Sequence, residues 1–190
     1  MIGWIILAAV VVILIALVGF FVGNYNKLVT LRNRFKNAFA QIDVQLKRRY
    51  DLIPNLVETV KGYASHEKEA LERVTEMRAR AQNVPVGDIQ GRAAAEGMLS
   101  QALGRLLAVA EAYPDLKASQ NFADLQRALE TTEREIQMAR RYYNGSVREL
   151  NTKVESFPSN LVAGQFGFAK ADYFELEDPS DRQLPEVRFA

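Results

Sequence analysis

The sequence lacks cysteine and has one histidine, His66, which narrows the chemistry open to the chain. Without cysteine there are no disulfides, no thiolate metal ligands and no cysteine nucleophile. No second metal ligand lies at a suitable spacing from His66, and the sequence has no G-x-S-x-G motif whose serine His66 could activate. We therefore interpret His66 as a surface residue rather than a metal ligand or general base. Phosphate and dinucleotide loops are absent too. The sequence therefore predicts no catalytic, cofactor-binding or metal-binding residue, and no enzyme.

The N-terminus lacks the features of a cleaved secretory signal. No Lys or Arg precedes the apolar run at 2–22, and no A-x-A-like site follows it. At about 1.5 Å per helical residue the run reaches roughly 32 Å, enough to cross a hydrocarbon core of about 30 Å. We therefore expect residues 1–23 to form a retained transmembrane helix. Its ends carry aromatic residues placed like an interfacial belt: Trp4, Phe20, Phe21 and Tyr25.

Two glycines near the end of this run, Gly19 and Gly23, form a G-x-x-x-G pair. Such a pair lets membrane helices approach closely, and we expect it to support a homo-oligomer. The alternative interpretation is chance, because glycine is common in membrane helices.

Acidic residues are scarce directly after the apolar run. Residues 27–50 carry one acid, Asp43, against seven basic residues: Lys27, Arg32, Arg34, Lys36, Lys47, Arg48 and Arg49. The positive-inside rule then predicts a cell inner (cytoplasmic) membrane protein with its N-terminus outside and its main domain in the cytoplasm. The alternative is the reverse orientation, with the helical domain exported whole.

The basic residues nearest the membrane have two interpretations. Lys27, Arg32, Arg34 and Lys36 are candidates for contact with anionic lipid headgroups. The same charges also fit a topology signal on a solvated helix face. The sequence has no broad basic surface with interleaved aromatic residues, so nucleic acid is not an expected partner.

Glycine and proline are absent from 24–53, where apolar residues recur every three or four positions. This stripe predicts a long helix continuous with the membrane run: Leu28, Leu31, Phe35, Ala38, Phe39, Ile42, Leu46, Tyr50 and Ile53. Pro54 is expected to end or bend that helix and to open a second one that reaches about Gln82.

Two further helices follow a loop at 83–88, which contains a proline and a glycine. Asp88 is the candidate N-cap of the third helix. The fourth helix starts near Ser119 or Asn121 and stops before Pro158. The fourth has a strict alternation of three- and four-residue steps: Phe122, Leu125, Leu129, Thr132, Ile136, Ala139, Tyr143, Ser146, Leu150, Lys153 and Phe157. We predict an all-α fold in which a transmembrane helix continues into a long-helix antiparallel bundle of four-helix type.

After residue 160 the composition changes, and we expect an irregular C-terminal tail at 161–190. Its aromatic residues are too apolar to remain in water, so we expect them to pack on the bundle or on a neighbouring subunit. The predicted domains are therefore 1–23 (transmembrane helix), 24–160 (helical bundle) and 161–190 (tail).

Two segments carry a family resemblance: QLKRRYDLIPNLVETVKGYASHE at 45–67, and residues 113–163, centred on YPDLKASQNFADLQRALETTEREIQMARRYYN. With the N-terminal anchor, FPSN at 157–160 and FGFAKADYFE at 166–175, they resemble the LemA family of bacterial membrane proteins over essentially the whole chain. The resemblance implies an N-terminal membrane helix followed by a helical bundle. It implies no molecular activity.

The densest polar groups of these segments form two clusters: Arg48, Arg49, Asp51, Pro54 and Asn55, and Arg140, Arg141, Tyr143 and Asn144. One interpretation makes them a binding surface. The other is structural, with Asp51 as a helix cap and with Tyr143 and Asn144 as polar groups that set the register inside the bundle.

Together these features predict a single-pass, membrane-anchored scaffold or interaction protein that self-assembles and organises or shapes the membrane. An alternative is an adaptor or sensor that regulates a membrane protease or an envelope-stress system. A hydrolase is a further alternative, disfavoured because no catalytic site is visible.

Overall fold

The computed structural model describes residues 1–175, and their regular structure is entirely helical. Six helices follow in chain order: α1 (Ile2–Tyr63), α2 (Lys68–Gln82), α3 (Ile89–Ala110), α4 (Pro114–Lys117), α5 (Gln120–Glu155) and α6 (Ser159–Gln165). The all-α prediction is confirmed. The predicted cap of the third helix is confirmed as well, since the Asp88 carboxylate accepts a hydrogen bond of 2.8 Å from the Gly91 N–H.

The apolar N-terminal run and the helix after it form one element, α1, of 62 residues. The expected continuity is confirmed, but the expectation that the helix ends at Pro54 and that Pro54 opens a second helix is wrong, because α1 continues through Pro54 to Tyr63. Proline has no N–H to offer the carbonyl four residues earlier, which belongs to Tyr50. The Arg78 Nε–H of α2 donates to that carbonyl at 2.8 Å. A side chain thus replaces the missing backbone donor, and the chain turns only at 64–67.

The described chain divides into two compact units. The first comprises Met1–Ile42 and Ala139–Asp172, so it contains the N-terminal part of α1, the C-terminal part of α5, and α6. Leu28 and Leu31 pack with Leu150, while Phe35 and Tyr143 meet edge to face at 6.3 Å. Because rising numbers along α1 meet falling numbers along α5, the two helices are antiparallel.

The segment after α5 completes the core of this first unit. Val162, Ala163 and Phe168 join the cluster of Leu28 and Leu31. The expectation of an irregular tail from residue 161 is partly wrong, since α6 reaches Gln165. Its sequence SNLVAGQ holds no breaker before Gly164 and places Val162 and Ala163 on a buried side. The rest of the predicted tail, 176–190, lies outside the described residues.

A side-chain clamp holds the segment after α6 against α5. The Asn151 side chain donates to the Ala171 carbonyl at 3.0 Å and accepts from the Ala171 N–H at 2.9 Å. Lys170 forms an ion pair with Glu155 at 2.8 Å. The residues around Ala171 therefore dock on α5 of their own chain.

The second unit comprises residues 43–138 and the described residues from Tyr173. Arg78 of α2 bonds to Tyr50 of α1, and Arg92 of α3 pairs with Asp43 of α1. Tyr113, just after α3, donates to Glu67, just before α2, at 2.9 Å. These contacts describe consecutive helices that alternate in direction, and α5 then returns as the fourth. The predicted antiparallel bundle of four-helix type is confirmed.

Burial follows the predicted stripes along both long helices. In α5 every stripe residue is buried or half-buried except Phe157, which lies beyond the helix and is exposed. In α1 the stripe from Leu28 to Ile53 is likewise buried or half-buried. Periodic apolar spacing therefore located the core faces of these helices correctly.

Candidate functional site

The first candidate site is the apolar N-terminal part of α1. Residues 1–22 are exposed throughout, with no other described part of the chain covering them. Among the described helices, α1 is the one long and apolar enough to cross a membrane. Such a length of bare apolar surface is unstable in water and stable in hydrocarbon.

The four residues of the predicted aromatic belt have different surroundings. Trp4 is 78% exposed, and Phe20 and Phe21 are exposed beside one another with rings 5.8 Å apart. Tyr25 is 37% exposed, and it also contacts the folded part of the first unit, with its ring 4.9 Å from Phe166 and 5.8 Å from Phe168. The span therefore ends where the first packed layer begins.

The two glycines of the predicted packing pair face open space. Around Gly19 and Gly23 nothing lies within 4 Å of the point where a Cβ atom would be. Four residues apart on a helix, they share a face, and that face is unoccupied within the described chain. Their predicted role in helix packing stays a prediction.

The four predicted lipid-facing cations have different surroundings. The Arg32 guanidinium lies over the Phe168 ring at 4.9 Å, a cation–π contact. Arg34 donates to the Tyr142 hydroxyl at 3.3 Å and pairs with Glu149 at 2.7 Å, and these contacts raise the pKa of Arg34. Lys27 and Lys36 are exposed. The structure thus gives Arg32 and Arg34 protein contacts, and lipid contact stays a prediction for all four.

In the second unit, Arg49 forms the centre of a buried ionic network. Its guanidinium pairs with Glu96 of α3 and, at 2.8 Å, with Glu133 of α5, and it donates to Ser100 at 3.1 Å. The Tyr50 hydroxyl donates to the same Glu96 carboxylate. Arg49 and Glu96 are each 97% or more buried. One guanidinium therefore joins three helices of the bundle.

Burial shapes the titration of the groups around this network. Desolvation, then the Glu96 carboxylate, raise the pKa of Tyr50 far above its ordinary value. Burial also raises the pKa of Asp43, against the opposing effect of Arg92. The raised pKa keeps Tyr50 protonated near neutral pH, so its hydroxyl remains a hydrogen-bond donor. These ion pairs and hydrogen bonds fit a structural role, in which the network holds the helices together.

A cleft of about 530 Å³ borders this network. Its walls come from α3 and α5 and are largely apolar, with Leu103, Leu107 and Leu129 among them. Arg49 and Glu133 also line it.

The other members of the first predicted cluster are not part of the network. Arg48, Asp51, Pro54 and Asn55 are exposed. Asp51 lies inside α1 and caps no helix end, so the cap interpretation is wrong. The reason is the same as for Pro54: the helix that was expected to end here continues.

The second predicted cluster is centred on Tyr143 in the first unit. Tyr143 is buried and donates to the Asp172 carbonyl at 2.8 Å, and Phe39 lies 5.7 Å away. Burial, then the Asp172 carboxylate, raises the pKa of Tyr143 to about 12. Arg140 and Asn144 are half-buried, whereas Arg141 is exposed.

Sequence reasoning missed the two acids that hold Arg49. A signal existed for Glu96: it lies three residues after Ala93 and three before Leu99, on the apolar stripe of α3. A single charged residue among buried apolar positions must be paired with an opposite charge inside the fold.

His66 is exposed, and residues 1–175 contain no group of three or more His, Asp or Glu side chains placed to hold a metal ion.

These features define a class: an all-helical, membrane-associated bundle protein whose polar network ties helices together. Comparison with known proteins then identifies the family. The LemA family model matches residues 38–189, and the chain belongs to the LemA family.

Curated relatives agree with this assignment. The chain is 28% identical to Protein LemA of Metamycoplasma hominis, over 83% of this chain and 72% of that protein. It is 26% identical to magnetosome protein MamQ 2 of Paramagnetospirillum magneticum, over 85% and 68% of the two chains. It is 24% identical to magnetosome protein MamQ of Magnetospirillum gryphiswaldense, over 94% and 74%.

Proposed function

We propose that this protein is a membrane-anchored, non-catalytic scaffold that self-assembles through its N-terminal helix and organises the membrane around it. The observation that carries the proposal is the exposed apolar run of α1 with Gly19 and Gly23 open on its surface. The names of the relatives specify no reaction. The proposal therefore rests on the helix.

The small residues of the run support one packing face. Every alanine and glycine between positions 8 and 23 falls within an arc of about 100° when successive residues are placed about 100° apart: Ala8, Ala9, Ala16, Gly19 and Gly23. Helices in lipid associate through such faces, because small side chains let the backbones approach and gain van der Waals contact. Bulky residues, including Val10, Leu17 and Phe21, occupy the opposite side.

The proposed topology places the N-terminus outside and the folded domain in the cytoplasm at the inner membrane. It rests on the seven basic residues that follow the run. Because the chain has no cysteine, single cysteines at position 2 and in the tail can be labelled in intact cells with an impermeant reagent. Labelling at position 2 alone supports this orientation, and labelling of the tail alone contradicts it.

The mass of the full-length protein in native membrane discs tests self-assembly. We expect the parent to have a multiple of the protomer mass, and Gly19→Phe/Gly23→Phe to have the mass of one protomer, because two large rings block the small face. The matched control, Val10→Phe/Leu17→Phe, adds rings to the opposite face and should keep the parental mass.

A parent that is strictly monomeric, with and without lipid, contradicts the proposal. Equal effects of the two double variants also contradict it, since assembly would then not depend on the small face. Co-purification of a stoichiometric protease with a monomeric parent would favour the adaptor alternative instead.

A further inference from the structure

The first unit contains a basic groove one helical turn beyond the apolar run. The groove has a volume of about 450 Å³ and lies between α1 and the C-terminal turns of α5. Lys27 comes from α1, and Arg148, Glu149, Thr152, Lys153 and Ser156 come from α5 and the residue after it. Spacings of four residues place Arg148, Thr152 and Ser156 along one side of the chain.

The groove carries an excess of positive charge. Within residues 1–175, Lys27, Arg148 and Lys153 have no ion-pair partner. The one acid that lines the groove, Glu149, is paired with Arg34 at 2.7 Å. The nearby acid at the end of α5, Glu155, is paired with Lys170. Within the described residues, three cations therefore share a concave surface whose single acidic residue is already paired with Arg34.

The depth of the groove matches the headgroup layer of a bilayer. Lys27 follows Val22 by five residues, about 7.5 Å along a helix axis. Each headgroup layer of a bilayer is about 5–7 Å thick beyond the hydrocarbon core. A lipid phosphate would thus lie at the level of the Lys27 ammonium when the apolar run spans the core.

Exposed apolar side chains lie at the same end of the unit. Phe157, directly after Ser156, is 79% exposed, and Leu161 of α6 is 57% exposed. Phe166 is 53% exposed and packs on Tyr25, two residues before Lys27. Such residues are favourable in a membrane interface and costly in water. They indicate that this end of the unit contacts lipid.

We propose that this groove binds the phosphate of an anionic phospholipid headgroup. Arg148 offers a planar pair of N–H donors, the two lysines offer ammonium charges, and Thr152 and Ser156 offer hydroxyl donors. The inference rests on the membrane anchoring of the proposed function but not on self-assembly. It replaces the diffuse contact expected from the α1 cations alone with a site built from two helices.

Lipid retention by the full-length protein tests this site. Detergent-solubilised protein is mixed with equal amounts of phosphatidylcholine and phosphatidylglycerol, and the bound lipids are counted by native mass spectrometry. We expect the parent to retain phosphatidylglycerol in preference. Each of Lys27→Gln, Arg148→Gln and Lys153→Gln should lower that preference by about fivefold, the factor expected for one cation near a membrane surface.

The control is Lys47→Gln/Lys61→Gln/Arg141→Gln, which removes the same charge at exposed positions that do not line the groove. It should keep the parental preference. An equal loss in this control and in Lys27→Gln/Arg148→Gln/Lys153→Gln would overturn the site, since attraction would then depend on net charge alone. No preference in the parent would overturn it too.

Inorganic phosphate distinguishes a lipid site from a site for a soluble anion. Millimolar phosphate should leave phosphatidylglycerol bound, because the acyl chains hold the lipid in place. Complete displacement of the lipid by phosphate would overturn the assignment to lipid. Unchanged oligomer mass in the groove variant separates this test from that of self-assembly.

Discussion

At the scale of single residues, the second unit depends on two arginines that act in different ways. Arg49 pairs with the buried Glu96 of α3 and the half-buried Glu133 of α5, whereas Arg78 supplies a hydrogen bond that the backbone of α1 lacks. Both interactions connect residues distant in sequence. The contribution of each arginine to the stability of the bundle depends on its burial and on the geometry of its contacts as well as on its charge.

Removal of Arg49 should destabilise the bundle strongly. Arg49→Leu leaves Glu96 buried without a cation, and loss of one partner of a buried pair costs about 3–5 kcal/mol. Arg48→Leu is the matched control, because Arg48 is exposed, and it should change the free energy of unfolding by less than about 0.5 kcal/mol. Denaturant unfolding of both full-length variants measures the difference. Similar losses would show that burial of Arg49 is not the cause.

Pro54 and Arg78 should be energetically coupled. Arg78→Met leaves the Tyr50 carbonyl without its side-chain donor, at a cost of about 1–2 kcal/mol. With Pro54→Ala the backbone regains an N–H for the same carbonyl, so Arg78→Met should cost less in that background. A double-mutant cycle of unfolding free energies gives the coupling. Additive effects would mean that Arg78 does not compensate for the proline.

At the scale of elements, periodicity was enough to predict the helices but not where one of them ends. The stripes of α1 and α5 are local, so spacing alone revealed them. Pro54 also gave a local signal, but Arg78, which replaces the missing donor, bonds to the Tyr50 carbonyl 28 residues away and does so only in the folded bundle. The same limit hid Glu96 as the partner of Arg49, 47 residues distant.

The clamp between α5 and the segment after α6 should control access to that segment. Asn151→Ala removes two hydrogen bonds to Ala171, about 1–2 kcal/mol of local stability, and should speed tryptic cleavage after Lys170 by roughly tenfold. Asn160→Ala, at an exposed position of α6, is the control and should leave the rate unchanged. An unchanged rate in Asn151→Ala would show that the clamp does not hold the segment.

At the scale of the whole molecule, family and fold followed from sequence more readily than sites did. The segments at 45–67 and 113–163 identified the LemA family, and composition predicted the membrane helix. The groove of Lys27 and Arg148 was not predictable, because those residues are far apart in sequence and meet only when α1 and α5 pack. The proposed role in the membrane rests on the surfaces of the protein rather than on a catalytic motif.

Cysteine scanning of the span tests the central claim, assembly through the small face of α1, most directly. The absence of native cysteine allows one cysteine at a time to be placed at positions 8–23 of the full-length protein in its native membrane. Oxidative cross-linking between protomers should be strongest at Ala16, Gly19 and Gly23 and weakest at Leu17 and Phe21, with a helical period. Uniform cross-linking along the span, or none at any position, would contradict the account.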